Sequence, residues 1–215
     1  MPHSSLERGW PYSSAMSSIA DVDALLRPAT VHTRASVLSR PSSVPAKPGL
    51  YAWYFDEAPP GVSVSDCHVT EHGALLYVGI SPGRPPANGK APSRQNLRTR
   101  IRYHCRGNAA GSTLRLTLGC HLAAKLGIVL TRVGSGDRLT FTPTGEALLS
   151  EWMAKHARVA TLEHSAPWEL EPAVINAVRV PLNIDHNSEH AYYPVNRALR
   201  AEHKAGARAR SIWTP

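Results

Sequence analysis

The chain has 215 residues and a mass of 23.3 kDa, a length typical of one domain with additional segments. Its 42% hydrophobic and 19% charged residues indicate a globular protein and exclude a mostly disordered one. The 24 Lys and Arg against 16 Asp and Glu give a formal net charge of +8 at pH 7, which favours a polyanionic partner.

Apolar runs and cysteines predict the cellular location of the protein. The sequence contains no run of 18 apolar residues, so we expect no transmembrane helix and no membrane partner. The first twenty residues lack the apolar core of a secretion signal, so we expect none. Cys67, Cys105 and Cys120 are too few for a disulfide framework, and we therefore expect a reducing, cytoplasmic location.

The positive charge is concentrated in one quarter of the chain. Residues 81–136 contain ten Lys or Arg and no Asp or Glu, so the rest of the chain carries a formal charge of −2. Such segregation predicts a basic face, to which phosphates bind with release of counterions. We therefore expect a nucleic-acid partner, and the alternative interpretation is a solvated basic helix.

The predicted elements begin with an arm and two strands. Residues 1–47 are rich in Ser and Pro and predict a tail or an arm that lies on the surface. The aromatic segment at residues 49–55 predicts a strand, and residues 74–80 predict a second strand that pairs with it. Because the second strand is apolar on both faces, we expect it to be central in the sheet.

An arginine-rich helix follows. Ser93 is a good N-cap residue, so we expect a helix over residues 94–106, with Leu97, Ile101 and Cys105 as its buried stripe. The residues that we expect to bind nucleic acid lie on this helix and at the start of the next: Arg94, Arg98, Arg102, Arg106 and Arg115.

The second half of the chain alternates helices and strands. Residues 108–157 predict a helix capped by Ser112, a β-hairpin and a second helix that opens at Thr142. Residues 158–163 predict a third strand and residues 169–179 a helix. The basic stretch at residues 196–210 predicts a terminal helix.

Four motifs occur in order on these elements. The two paired strands carry Gly49-Leu50-Tyr51 and Tyr77-Val78-Gly79, and residues 96–104 read Asn-Leu-x-x-Arg-x-x-x-His. Glu171 lies on the helix after the third strand, and Asn183 follows it by twelve residues. Together these motifs resemble the GIY-YIG nuclease superfamily, with one aliphatic exchange in each tripeptide.

The resemblance covers about residues 48–183 and implies an α+β fold. Its core would be a small three-stranded, mainly antiparallel sheet flanked by helices. The nuclease domain would span residues 48–190, with a helix and hairpin insertion at 108–157 and a basic tail at 191–215. The implied activity is metal-dependent endonucleolytic hydrolysis of DNA phosphodiester bonds, with Mg²⁺ or Mn²⁺ as cofactor.

The resemblance also implies six catalytic residues: Tyr51, Tyr77, Arg100, His104, Glu171 and Asn183. Glu171 would ligate the metal, and the Arg100 guanidinium would hold the scissile phosphate. Tyr51 would be the general base, its pKa lowered by the metal and Arg100. Tyr77 would bond the phosphate or the nucleophile, His104 would orient Tyr51 or the phosphate, and Asn183 would hold the Glu171 helix against the strands.

Alternatives to this interpretation remain open. Because Pro172 follows Glu171, the helix should begin near Glu169 or bend there. The same scaffold could serve a noncatalytic nucleic-acid-binding or regulatory protein, or its basic helix could contact an acidic protein. DNA is favoured over RNA, and a partner protein could supply targeting. Seven Cys and His lie in short clusters, but none has completed zinc-finger spacing: Cys67, His68, His72, His104, Cys105, Cys120 and His121.

Overall fold

The structure is a computed structural model that describes residues 23–88, 90–91 and 93–214. Its strands are β1 (Gly49–Phe55), β2 (Val69–Thr70), β3 (Gly73–Ser81), β4 (Thr131–Val133), β5 (Arg138–Thr140) and β6 (Ala157–Glu163). Its helices include α1 (Arg34–Leu38), α2 (Leu97–Arg106), α3 (Thr113–Leu126), α4 (Thr142–His156), α5 (Pro167–Val178) and α6 (Tyr192–Ala209). The predicted α+β class is confirmed.

The main sheet is antiparallel, with strand order β2-β3-β1-β6. The three long strands are those that the sequence predicts, and the two-residue β2 is an addition. β1 is the central strand, because long partners pair with it on both sides and all seven of its residues are buried. The second predicted strand, β3, also lies between two strands, as expected, although its pairing with β2 is short. β4 and β5 form a separate hairpin, as predicted.

Each face of the sheet is covered by its own hydrophobic cluster. Side chains of β1 alternate between the two faces, as strand geometry requires. Tyr51, Trp53 and Phe55 pack in the cluster that includes residues of α2, α3 and α4. Leu50, Ala52 and Tyr54 pack in the opposite cluster with residues of α5. The first of these faces therefore carries Tyr51, the tyrosine of the first tripeptide.

α2 begins three residues later than the sequence predicts. Asn96, not Ser93, is the N-cap: its Oδ1 accepts the backbone N–H of Thr99 at 3.0 Å, and Thr99 Oγ1 accepts the backbone N–H of Asn96 at 3.0 Å. This reciprocal capping box satisfies two donors at the helix start. Arg94 consequently lies outside the helix, while the buried stripe of Leu97, Ile101 and Cys105 is confirmed.

A buried ion pair holds residues 108–157 together, and its arginine also bonds to α2. The Arg115 guanidinium is fully buried and donates to the Glu146 carboxylate, with Nη2–Oε2 at 2.6 Å and Nε–Oε2 at 3.0 Å. Arg115 Nη1 also donates to the backbone carbonyl of His104 at 3.0 Å. A nucleic acid cannot reach this side chain, so the prediction that Arg115 binds one is wrong.

The chain segments at both ends of the described region pack on this core. In the predicted arm, Val37 and Val44 are fully buried, and the first 22 residues lie outside the described part. α6 packs against α3 and buries Asn196 and Ala207 completely. Within the described ranges, no helix combines the length and the apolar character needed to span a membrane.

We predict that Arg115→Met destabilises the protein strongly, because it leaves the Glu146 carboxylate buried without its cation. Breaking a buried pair in this way costs about 3–5 kcal/mol of the free energy of unfolding. Urea denaturation measures this cost. The matched control is Arg106→Met on exposed α2 surface, which should change stability by no more than about 0.5 kcal/mol. Equal effects of the two substitutions would contradict the assigned role.

Candidate active site

The two tripeptide motifs meet across the β1–β3 pair. Tyr51 lies opposite Gly79 in the register, and its ring crosses the place where a side chain at Gly79 would be. A Cβ built on Gly79 would lie 2.5 Å from the Tyr51 hydroxyl oxygen. A Cβ on Gly49 would lie 2.1 Å from the Leu162 carbonyl oxygen on β6. Glycine is therefore required at both positions by close approach.

A chain of hydrogen bonds starts at the Tyr51 hydroxyl and runs into the interior. His104 is fully buried on α2, and its Nε2 lies 2.8 Å from the Tyr51 hydroxyl. Its Nδ1 lies 2.7 Å from Ser112 Oγ. Ser112 is the N-cap of α3, where its Oγ also accepts the backbone N–H of Arg115 at 3.1 Å. Both ring nitrogens of His104 are thus occupied, and the ring orientation is determined.

Burial controls the ionisation of the side chains in this hydrogen-bonded row. Desolvation lowers the pKa of His104 well below its usual range, and the charges of Arg100 and Arg115 lower it further. Desolvation also raises the pKa of Tyr51, and Arg100 offsets part of that rise. The sequence-based expectation of a lowered Tyr51 pKa does not hold for the protein alone, because burial outweighs the adjacent guanidinium.

Arg100 connects the buried tyrosine to solvent. Its Nε donates to the Tyr51 hydroxyl at 3.4 Å, and its Nη1 donates to the Gly111 carbonyl at 3.0 Å. A guanidinium has five N–H donors, so further donors remain for a phosphate. Tyr51 is only 1% exposed, whereas Arg100 and Tyr77 line an open cleft. The Tyr51 hydroxyl therefore lies behind Arg100, which separates it from the cleft.

The cleft has a volume of about 640 Å³ and lies between α2 and α5. Arg100 approaches it from α2 and Glu171 from α5. The predicted phosphate-binding and metal-binding side chains are thus brought into one cavity. The cleft is also lined by Tyr77 and by residues without a predicted role, among them Trp168, Asp185 and His186.

The Glu171 carboxylate is half-buried in this cleft. Desolvation raises its pKa, the nearby His186 lowers it, and the Asp185 carboxylate raises it again. α5 begins at Pro167, two residues before the predicted start, so Pro172 lies inside the helix. Proline lacks an N–H, and the Trp168 carbonyl consequently loses its helical donor beside the cleft.

Asn183 holds the open edge of β3. Its Oδ1 accepts the backbone N–H of Val78 at 2.9 Å, and its Nδ2 donates to the Val78 carbonyl at 2.8 Å. The backbone N–H of Leu182 also donates to the Leu76 carbonyl at 3.0 Å. An amide side chain carries both a donor and an acceptor, which a carboxylate does not. Asn183 therefore completes the strand between Tyr77 and Gly79, a positional role that agrees with its expected one.

The predicted nucleic-acid residues differ in their surroundings. Arg94 and Arg106 are exposed. Arg98 is half-buried and donates from Nε to the Val44 carbonyl at 2.7 Å, and Arg102 is half-buried on α2. Arg98 is therefore partly engaged in holding the N-terminal segment, and the others remain candidates for phosphate contact.

Some residues of the site carry no motif signal. Ser112 looks like an ordinary helix cap in the sequence, and its contact with His104 depends on how two helices pack. Asp185 and His186 follow the motif asparagine in a loop, where spacing predicts nothing. The one feature of the sequence that could have placed them in the site is their polar character close to Asn183.

In the part of the chain that the structure describes, the alternative of structural zinc has no assembled site. Among residues 23–88, 90–91 and 93–214, no three His, Cys, Asp or Glu side chains form a group that could hold a metal ion. The His68 ring lies 2.7 Å from the Leu26 carbonyl and the His121 ring 2.7 Å from Asn196. A divalent metal held by Glu171 would therefore need water or phosphate oxygens as further ligands.

Comparison with known proteins identifies the domain. The family model described as the GIY-YIG catalytic domain matches residues 49–205, which include the tripeptides, α2, Glu171 and Asn183. No curated protein and no solved structure shows significant similarity to the chain.

We predict that His104 makes stability fall in acid. Because its pKa is lowered on folding, the unfolded chain binds more protons below its normal pKa of about 6.5, and stability is lost as pH falls. Urea denaturation should show an additional slope of up to about 1.4 kcal/mol per pH unit in the wild type relative to His104→Gln. Other buried histidines contribute equally to both proteins. Parallel pH profiles would show that His104 is not held neutral.

Proposed function

This chain belongs to the GIY-YIG catalytic-domain family, and we propose that it is a metal-dependent endonuclease that hydrolyses phosphodiester bonds of DNA. The family implies nuclease-type activity. The observation that supports the finer proposal is the cleft itself, which Arg100, Glu171 and Tyr77 line, with the Tyr51 hydroxyl bonded to Arg100 behind it. Hydrolysis requires a phosphate clamp, a base and charge stabilisation, and these side chains can supply all three.

Glu171 is the residue proposed to hold Mg²⁺ or Mn²⁺. Such ions bind through one or two carboxylates and complete their shell with water and phosphate oxygens, which suits Glu171 with Asp185 on the same wall. Burial raises the pKa of the Glu171 carboxyl, and a cation would offset that desolvation. The bound ion would neutralise phosphate charge and acidify a water.

Arg100 is the proposed phosphate clamp. Its guanidinium is held at one end by the Gly111 carbonyl and reaches the cleft with its remaining donors. Two parallel N–H groups match two phosphate oxygens, a geometry that lysine cannot reproduce. Movement of the guanidinium onto a phosphate would also loosen its 3.4 Å contact with Tyr51 and open that hydroxyl to the cleft.

Tyr51 is the proposed general base, with His104 as a donor to it. The positive charges of Arg100 and Arg115 oppose protonation of His104, so its imidazole stays neutral. Ser112 already accepts the Arg115 N–H and can donate its own proton to Nδ1. That tautomer places the His104 proton on Nε2, where it donates to Tyr51 and stabilises the phenolate. Tyr51 itself must first release its phenolic proton to solvent in the cleft, and the phenolate then accepts a proton from the attacking water.

The remaining expectations belong to the same proposal. DNA is favoured over RNA, the location is cytoplasmic, and a partner protein could direct the enzyme to its target. A reducing location is supported by the three cysteines, which are all free. Burial raises the pKa of Cys105 and of Cys120 to about 12, which suits inert structural thiols.

We predict cleavage of plasmid DNA in Mg²⁺ or Mn²⁺ and its loss in two site variants. Glu171→Gln and Arg100→Lys should each lower the cleavage rate by about 10²–10³-fold, because the first removes the charge that holds the metal and the second removes the paired N–H donors at the phosphate. Glu171→Gln should also abolish Mn²⁺ binding in calorimetric titration. The control is Glu169→Gln, which removes an exposed carboxylate from the same helix and should cleave normally.

RNA and single-stranded DNA substrates in the same assay test the preference for duplex DNA. If the wild type binds DNA but cuts no nucleic acid with any divalent metal, the endonuclease proposal is wrong and the noncatalytic alternative is favoured.

We predict that Ser112→Ala slows cleavage through the His104 tautomer. Without the hydroxyl donor, the Nε2 proton is no longer favoured, and cleavage should fall about tenfold, the value of one hydrogen bond. The limb of the pH–rate profile that reports Tyr51 ionisation should move to higher pH. Ser112→Thr keeps both the hydroxyl and the helix cap and should restore rate and profile. A stability loss of about 1 kcal/mol with an unchanged profile would indicate a capping role only.

A further inference from the structure

The C-terminal helix α6 carries a continuous basic face. Four cationic side chains recur at intervals of three or four residues and therefore share one side of the helix: Arg197, Arg200, Lys204 and Arg208. Glu202, the acidic residue of this helix, falls on another side. This basic face lies outside the acid-free segment that the sequence draws attention to.

The basic face lines a groove of about 410 Å³, together with Ile184 and Ala201. Arg200 and Lys204 are half-buried in it. Desolvation lowers the pKa of Lys204, and the charges of Arg200 and Arg208 lower it further. Desolvation also lowers the pKa of Arg200, while Asp185 is the carboxylate that raises it. Crowded cations of this kind are stabilised by a bound polyanion.

The groove and the catalytic cleft share one wall. Ile184 lines the groove, and the next two residues, Asp185 and His186, line the cleft. Asp185 and Tyr77, which both line the cleft, raise the pKa of Arg200 by their charge. A nucleic-acid strand that leaves the cleft past residues 184–186 would therefore contact the basic face of α6.

We infer that the basic face of α6 binds backbone phosphates of the nucleic acid that flank the bond held in the cleft. This inference rests on the proposed function, because it takes the cleft as the place of the scissile phosphate. The face runs from Arg197 to Arg208, about 16 Å at 1.5 Å per residue. One strand presents a phosphate about every 3.4 Å of duplex axis, so several phosphates match this length.

The test is binding of a 5′-labelled duplex about three helical turns long, followed by fluorescence anisotropy in EDTA, where cleavage is prevented. The variant Arg197→Gln, Lys204→Gln and Arg208→Gln removes three charges and leaves the half-buried Arg200, which faces Asp185, in place. The matched control, Arg40→Gln, Arg138→Gln and Lys155→Gln, removes three exposed charges from other parts of the surface. Circular dichroism confirms folding of both variants.

The α6 variant should bind DNA about 10–100-fold more weakly than the wild type near 0.1 M salt. The plot of log association constant against log salt concentration should become less steep, its negative slope shrinking in magnitude by about 2.7. The control should bind like the wild type. Equal affinity and slope for wild type and α6 variant would overturn the inference, even if plasmid cleavage stands. Weakened binding in a protein that never cleaves would uphold this surface while the endonuclease proposal fails.

Discussion

The buried guanidinium of Arg115 organises the part of the molecule that holds Tyr51, the tyrosine of the first tripeptide motif. An unpaired buried cation would cost several kcal/mol, so its surroundings must supply acceptors. They do so from three places: the Glu146 carboxylate on α4, the backbone carbonyl of His104 on α2 and Ser150 Oγ. Glu146 in turn accepts the backbone N–H groups of Ala109 and Phe141. Residues 108–157 are therefore the scaffold of the site rather than an appendage to it.

This arrangement has an electrostatic consequence for the hydrogen bonds at Tyr51. His104 lies between the positive charges of Arg100 and Arg115 in a fully buried position, and all three influences disfavour its protonated form. A neutral imidazole carries a single N–H, so one ring nitrogen donates and the other accepts in the contacts with Tyr51 and Ser112. The ion pair that stabilises the fold thus also helps to keep the partner of the tyrosine uncharged.

Local patterns predicted the elements well, and contacts between elements were the part that sequence could not supply. The long strands, α3 with its Ser112 cap and the order of the motifs follow from alternation, capping and spacing. The start of α2 was misplaced because Ser93 and Asn96 are both good caps, and only the reciprocal bond with Thr99 distinguishes them. Arg115 looked like a surface cation because its partner Glu146 lies 31 residues away in the chain. Asp185 and His186 enter the cleft through loop geometry that has no periodicity.

The distribution of charge along the chain is therefore a poor guide to the charge of the surface. Within the acid-free segment, Arg115 is buried in the core, and Arg98 and Arg100 each bond a backbone carbonyl. Arg84 and Arg100 of that segment do line the cleft, but α6 adds four further cations next to it from a region that also contains acids. A folded chain can assemble a positive path from segments about 100 residues apart, because proximity to the cleft, and not proximity in sequence, decides which cations act on the same strand.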